Sequence, residues 1–530
     1  MVKLEDVAGS LLQKPSDEPP VQAAPERLQS GYKPLNSFVL PKDRPYKQQY
    51  GDMYFLRLAK IRPAVEQVAS EAFGDVIIGG EHAQKVERVL DVRQGELCWT
   101  TGTVYMDMPS KPNILEDVAK DRWISGQSSS KKYLSQDGRD AAMLEDDSGR
   151  VRLVGDFLEN AALVTGSIIA VIGTENANGD FEVIDVRYPE LGPQPDRWAL
   201  SKPPATNGKS KAAKKEADED IEMEGGPPPR GSRGKVAIVS GLNFSGTDTS
   251  YALELSLLLE YLLGEALDPA AQGELSHISR LIIAGNSIAS DDASKPLPTE
   301  DEDAGDEDTK DEDKKDEDKK GEDKKTHKKY GYDSSSYNPV PSQLLDGFLS
   351  ELLPSMPITI LPGQHDPANA SFPQQPVHPA MYPKSRAFSA APGAAEPGWL
   401  DSVTNPWEGE VDGWRFLGTS GQNVDDVLRY VSGDDRLGMM ELMCRWRLTA
   451  PTAPDTLWSY PFQDDDPFVM NQCPHLYFAG SQPEFGTKTI TGPEGQSVRL
   501  LTVPAFSKSK EIVLVDTETL DITLVKISAS

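Results

Sequence analysis

Hydrophobic and polar positions change their period along this chain, and the changes mark its parts. From Tyr50 to Phe73 (YGDMYFLRLAKIRPAVEQVASEAF) apolar residues return at helical spacing, which predicts a helix. Pro63 lies inside it and removes a backbone donor, so a kink or two helices meeting there are expected. From Gly95 to Tyr188 the period falls to two. ELCWTTGTVYMDM reads as a long strand bent near Gly102, and AAMLEDDSGRVRLVGDF as a hairpin turning at Asp146-Asp147-Ser148-Gly149. GSIIAVIGTENANGDFEVIDVRY adds two more strands around an Asn-Ala-Asn-Gly-Asp turn. From Lys235 onward short apolar runs alternate with helical patterns: VAIV, SYALELSLLLEYLLGEAL, LIIAG, QLLDGFLSELL, ITIL, WRFLG and VDDVLRYV. HLYFAG, VRLLTVPAF and EIVLVDTETLDITLVKI then give a β-rich finish. The expected domain is a two-sheet α/β sandwich flanked by helices.

The strands between Gly95 and Tyr188, with a helical segment at one end, fit a small five-stranded barrel of the OB type. Three stretches have no period at all. Residues 1–35 are rich in Pro, Glu and Gln and are expected to form a disordered tail. Residues 200–233 carry KSKAAKK, EADEDIEMEGG and PPPRGSRG and are expected to be a flexible linker. Residues 290–337, dominated by DEDKKDEDKKGEDKK, hold almost nothing to bury and are expected to be a disordered insertion. The domain plan is therefore a helix plus barrel over 36–199 and an α/β domain over 234–530.

Charge narrows the function. The net charge of −30 is the wrong sign for a chain whose own surface grips nucleic acid. Trp99, Tyr105 and Phe157 are candidate base-stacking residues in the barrel, but Glu145, Asp146, Asp147 and Asp156 lie beside them and favour a protein-docking barrel. Lys209, Lys211, Lys214 and Lys215 form either a nuclear import signal or part of a solvated linker. The cysteines Cys98, Cys444 and Cys473 are too scattered for a disulfide framework or zinc cluster. No apolar run is long enough for a membrane span, and no secretory signal is expected at the N-terminus.

Four short segments carry the candidate chemistry. SGLNF at Ser240–Phe244, AGNSI at Ala284–Ile288, PGQHD at Pro362–Asp366 and AGSQP at Ala479–Pro483 each follow a predicted buried strand. Two-metal hydrolysis of phosphate esters needs carboxylates and histidines at such loop mouths, holding two cations about 3.5–4 Å apart around a bridging water. The layout is similar to that of calcineurin-like phosphoesterases, whose loops read SDxH, GDxxD, GNH[DE], a lone His and GHxH.

Here the ligands are depleted. Ser240, Gly241 and Asn243 stand in the first loop without its Asp and His, and Gly285 and Asn286 stand in the second without the bridging Asp. Gly363, Gln364, His365 and Asp366 keep the His and the acid but replace the ligand Asn by Gln, while LTAPTAP offers no counterpart of the lone His. Gly480, Ser481 and Gln482 lack both histidines of the last loop. Amides and hydroxyls alone would not compensate a pair of dications. His365 and Asp366 are either a leftover acid–base pair or groups satisfying their own turn, and Gly418–Asn423 is either a phosphate cradle or a structural turn.

SGLNFSG, LPGQHDPANASFPQQPVHPAMYP, GTSGQNVDDVLRY, APTAPDTLWSYPF and CPHLYFAGSQPEF together resemble one branch of that family, the B-subunits of replicative DNA polymerases, from about Asn36 to the C-terminus. The resemblance implies an OB fold joined to an inactive phosphoesterase fold, with no catalytic residue, no metal and no cofactor. It also implies a nuclear scaffold that binds the cysteine-rich C-terminal domain of a polymerase catalytic subunit and the N-terminal part of a third subunit. Such subunits can be shared with polymerase zeta and meet DNA only through the holoenzyme. Two other functions compete: a working phosphoesterase or nuclease with substituted ligands, and a free single-strand binder.

Overall fold

The computed structural model describes residues 26–41, 50–112, 132–135, 138–202, 234–264, 269–289, 338–391, 393–394 and 396–528. The lysine cluster at 209–215, the charged insertion 290–337 and the first residues of the expected tail lie outside this set.

Gly51–Phe73 forms one helix with Pro63 inside it, not two helices. Pro63 sits on the exposed side of that helix. Water can therefore reach the carbonyl that loses its donor there, which lowers the cost of an internal proline. Met53, Leu58, Ile61, Val65 and Phe73 face the barrel core from the helix's buried side.

The barrel closes through one long strand, Cys98–Asp107. Its first half pairs antiparallel with Ile168–Glu175 and its second half with Ala141–Glu145. The two pairings meet at Gly102–Thr103, the predicted bend. A Cβ on Gly102 would lie 2.7 Å from the Glu145 carbonyl oxygen, so only glycine permits that crossing. Arg150–Val154 and Phe181–Arg187 complete the ring, and Gln84–Lys85 adds a short edge.

The larger domain stacks two six-stranded sheets. The first has the order Tyr32–Pro34, Trp407–Val411, Trp414–Thr419, Leu476–Gln482, Ser497–Pro504, Gly486–Thr491. The second runs Leu400–Ser402, Ile358–Leu361, Ile278–Ala284, Lys235–Val239, Glu511–Asp516, Ile522–Lys526. Their inner faces share a core containing Val236, Ile238, Ile282, Phe416, Phe478 and Leu501. The central strands are buried on both faces, which is why they read as unbroken apolar runs. Helices Ala252–Leu263 and Val340–Leu352 cover the second sheet, while Gln422–Leu428 and Arg436–Arg445 lie between the first sheet and the barrel in one continuous core.

Part of the stretch expected to be tail, from Arg27 to Pro34, is instead fastened to the larger domain. Arg27 donates to the carbonyls of Leu262 and Ile278, the former at the C-terminal end of helix Ala252–Leu263. Tyr32–Pro34 then adds an antiparallel edge strand to Trp407–Val411, and Phe38 is buried against Phe468. This stretch is a strap fastened to both sheets. Polar side chains hold it, so a search for apolar period misses it.

Candidate functional site

Parallel strands place their following loops at one end of the sandwich. Lys235–Val239, Ile278–Ala284 and Ile358–Leu361 run parallel in one sheet, and Trp414–Thr419, Leu476–Gln482 and Ser497–Pro504 in the other. Ser240, Gly285 and Gly363 follow the first three strands, and Ser481 lies at the irregular end of strand Leu476–Gln482. The loops meet across the sheets. The Ser240 hydroxyl donates to the Ala284 carbonyl at 2.6 Å and accepts from the Ser481 backbone N–H at 2.8 Å. The Asn286 amide donates to the Ser481 hydroxyl at 2.8 Å, and its carbonyl oxygen accepts from the His365 N–H at 3.1 Å. Asn243 turns outward to the Ser507 hydroxyl at 2.7 Å.

The backbones are as close as the side chains. A Cβ on Gly480 would lie 2.2 Å from the Ala284 carbonyl oxygen, and one on Gly363 would lie 2.2 Å from the Asn286 nitrogen. Asn243, Asn286 and Ser481 all adopt positive φ, at 47°, 51° and 54°. Asparagine tolerates that region because its short amide bonds locally. The donors and acceptors of this cluster are spent on one another and on the backbone, which is what buried polar groups require.

Not all the sequence candidates join it. Gln364 and His365 are exposed at the rim. Gln482 turns away, donating to the Gly480 carbonyl and accepting from Arg436 at 2.6 Å. Asp366 is buried and ties two loops together, accepting from the Ile288 and Gly363 N–H groups at 2.9 and 2.7 Å. These are the bonds of a turn-locking carboxylate. The motif reading missed Gln374 and Asn405, and it held Ser420 only within the Gly418–Asn423 turn. Asn405 donates to Gln374 at 2.9 Å and to Ser420 at 2.6 Å, and it accepts from the Ser420 N–H at 3.0 Å. Among the described residues no group of three His, Cys, Asp or Glu side chains converges as metal ligands would.

Buried acids give this domain a pH signature. Burial pushes Asp366 up to about 6, against the backbone bonds that lower it. Burial also raises Asp401, Asp412 and Asp426. In Asp146 and Glu441 burial pulls upward too, but their hydrogen bonds and, for Glu441, its cationic neighbours outweigh it and lower both. A carboxyl raised in the folded state costs stability when ionised, and that cost disappears as pH falls through the folded value. Stability should therefore rise as pH drops from 7 toward 5, with Asp366 alone contributing up to about 3 kcal/mol by full protonation. Below about pH 4 the lowered acids reverse the trend. Melting temperature against pH should slope downward from 5 to 7, and Asp366→Asn should flatten that slope.

A second feature lies where the barrel meets the larger domain. The barrel turn at Gly166 (φ 89°) approaches so closely that a Cβ would lie 2.0 Å from the Pro451 carbonyl oxygen. Arg57, on the barrel's helix, bonds Asp466 at 2.9 Å and the Pro451 carbonyl at 2.7 Å. Arg447 donates to the carbonyls of Pro189, Glu190 and Leu191. Asp426 accepts from Tyr133 at 3.0 Å and Thr456 at 2.6 Å. Beside this junction lies a groove of about 680 Å³, walled by Leu153, Leu158 and Ala162 of the barrel and by Leu428, Met439 and Leu442 opposite.

The barrel's stacking candidates are mostly occupied. Trp99 is buried, and Tyr105 is flanked by the cations of Lys111 at 4.4 Å and Arg150 at 4.8 Å. Of the three, Phe157 is the exposed ring. The three cysteines are buried thiols, pushed well above their ordinary range chiefly by burial.

Comparison with known proteins agrees with both halves of this architecture. A family model described as DNA polymerase delta subunit OB-fold domain matches residues 49–186, so the barrel is an OB fold. A second, describing the B-subunit of DNA polymerases alpha and epsilon, matches residues 236–487. The DNA polymerase delta small subunit of Saccharomyces cerevisiae is 32% identical over 526 residues, covering 94% of this chain and 93% of the relative. The small subunit of Arabidopsis thaliana is 32% identical over 500 residues, with 94% and 95% covered. DNA polymerase delta subunit 2 of Drosophila melanogaster is 31% identical over 504 residues, with 95% and 98% covered. With both domains matched and nearly the full length aligned, the chain belongs to the family of DNA polymerase delta small subunits.

Proposed function

We propose that this chain is the non-catalytic accessory subunit of a nuclear DNA polymerase delta, a scaffold that joins the catalytic subunit to a third subunit in replication and repair. Its larger domain is read as a calcineurin-like phosphoesterase fold whose site has lost its metals, with Ser240, Gly241, Asn243, Gly285, Asn286, Gly363, Gln364, His365, Asp366, Gly480, Ser481 and Gln482 as the remnants. The observation that carries this reading is the closed network of Ser240, Ser481 and Asn286: the groups at the loop mouths bond each other, and the nearby acid, Asp366, is spent on the backbone N–H groups of Ile288 and Gly363. A two-metal hydrolase needs the opposite, an open position and anionic ligands.

The groove between barrel and larger domain, whose walls combine Leu153, Leu158, Met439 and Leu442 with Asp140, Arg152 and Asp435, supports the docking half of the proposal. Its walls suit the folded, cysteine-rich C-terminal domain of the catalytic subunit, because buried apolar area drives a permanent assembly. Polymerase zeta is a further assembly in which the same surface would serve. DNA is met through the holoenzyme.

Purification of the chain from its own cells, washed in high salt, tests this directly. The polymerase catalytic subunit should remain bound in equal amount, and elemental analysis should find no stoichiometric manganese. Metal in a two-to-one ratio, with phosphodiester hydrolysis that follows it, would replace the scaffold by an enzyme.

A further inference from the structure

Four strands end the two large sheets, and three of them are guarded. Tyr32–Pro34 is short and carries Pro34, which offers no backbone donor. Leu400–Ser402 is equally short, and Leu400 is bridged by Ser389 from the turn that precedes it. Gly486–Thr491 exposes Lys488, held by Glu441 at 2.6 Å, and a lysine within an edge strand discourages a further strand.

The fourth, Ile522–Lys526, is open over its first four residues. It pairs with Glu511–Asp516 on one side, and no strand among the described residues pairs with its other side. Ile-Thr-Leu-Val is free of proline and charge, and the lysine of this strand stands last. Ile522 packs into the core between the sheets, and Leu524, two residues on and on the same face, is 38% exposed. Val525 and Ile527 face the helix-side core. Both apolar layers of the sandwich thus reach this edge, where Ile522 and Val525 are half-buried and Leu524 is exposed.

We infer that Ile522–Lys526 is a docking edge that accepts an extended segment of another protein as the next strand of the sheet. Main-chain bonds to the open edge would supply the affinity, and pockets beside Leu524 and Val525 would read alternate side chains. The incoming segment is apolar on both faces, because it continues both layers, and it comes from a chain with less acidic charge. A second copy is the poorer occupant: each copy carries a net −30, and like charge opposes pairing. The inference rests on the scaffold reading for the existence of a partner, and it adds the place and the manner of its attachment.

Hydrogen exchange on the free chain and on the assembly purified from its cells is the test. Peptides covering residues 511–528 should exchange roughly tenfold or more slowly in the assembly, as expected when open edge amides become paired. In a Leu524→Lys variant the free chain should melt as the wild type does and keep the catalytic subunit, while the slowing is lost. Equal exchange in the free chain and in an assembly that retains its subunits would overturn this inference and leave the scaffold reading standing. An assembly that retains no subunit would overturn both. If light scattering shows the free chain to be a dimer that Leu524→Lys dissolves, the edge belongs to self-association and the inference falls.

Discussion

Arg57→Ala should destabilise the protein by about 3–5 kcal/mol, the cost of leaving one member of a buried ion pair alone. Arg57 and Asp466 are 1% and 0% exposed, and they lie 2.9 Å apart across the junction of barrel and larger domain. Removing the guanidinium strands the Asp466 carboxylate, which also accepts from the Phe468 N–H at 2.9 Å. It also frees the Pro451 carbonyl against which Gly166 packs. The pair itself is not expected to be worth that much. Both charges were desolvated to make it, and Coulomb attraction offsets that desolvation only in part. Arg57→Met combined with Asp466→Asn keeps an acceptor for Phe468 and buries no charge, so it should recover most of the loss. Urea denaturation followed by tryptophan fluorescence distinguishes the cases. The wild type and the double variant should unfold in one transition. Arg57→Ala should unfold at lower urea and show two transitions as barrel and sandwich uncouple. A single variant within about 1 kcal/mol of wild type would mean that the apolar junction alone holds the domains.

The second large effect concerns the strap. Tyr32 stacks on Arg280 at 3.7 Å, lies beside Trp407 with ring centroids 6.3 Å apart, and donates to Asp401. Arg280 is itself buried and bonds Thr359 at 2.9 Å. Tyr32→Ala removes a large aromatic contact and a cation–π partner together, an expected loss of about 3–5 kcal/mol. Tyr32→Phe keeps the ring and drops one hydrogen bond to a carboxylate, about 1.5–3 kcal/mol. The readout is limited trypsin digestion. The Arg27–Leu28 bond, whose Leu28 N–H donates to the Ser276 carbonyl, should be cut slowly in the wild type, faster in Tyr32→Phe, and fastest in Tyr32→Ala. Equal cutting in all three would show that Arg27 and Phe38 fasten the strap without Tyr32.

These effects separate what the chain declares from what it conceals. The barrel is legible because alternation and a turn at Asp146–Gly149 are local signals, and Gly102 marks the bend. The loops of the candidate site are legible because each follows a run of strand residues. Arg57 and Asp466 are not legible: 409 positions separate them, and nothing local distinguishes either from a surface charge. The helix Arg436–Arg445 escapes notice because Gly438 and scattered charges break its apolar stripe, though Met439, Met440 and Met443 are buried. The strap reads as tail because Arg27, Tyr32 and Asp401 stabilise it through polar and aromatic contacts that carry no period. Asn405, Gln374 and Ser420 complete the loop network from three segments, and their side chains look like any others until the chain is folded.

The crowding of glycines at the loop mouths also decides where a ligand side chain could be installed. An aspartate at Gly241 would have to adopt φ 60° and place its Cβ 2.7 Å from that of Ala505, and any side chain at Gly480 would strike Ala284. A carboxylate at Gly241 is thus closed off by the backbone, whereas Asn286, which already carries a side chain, could become Asp without that clash.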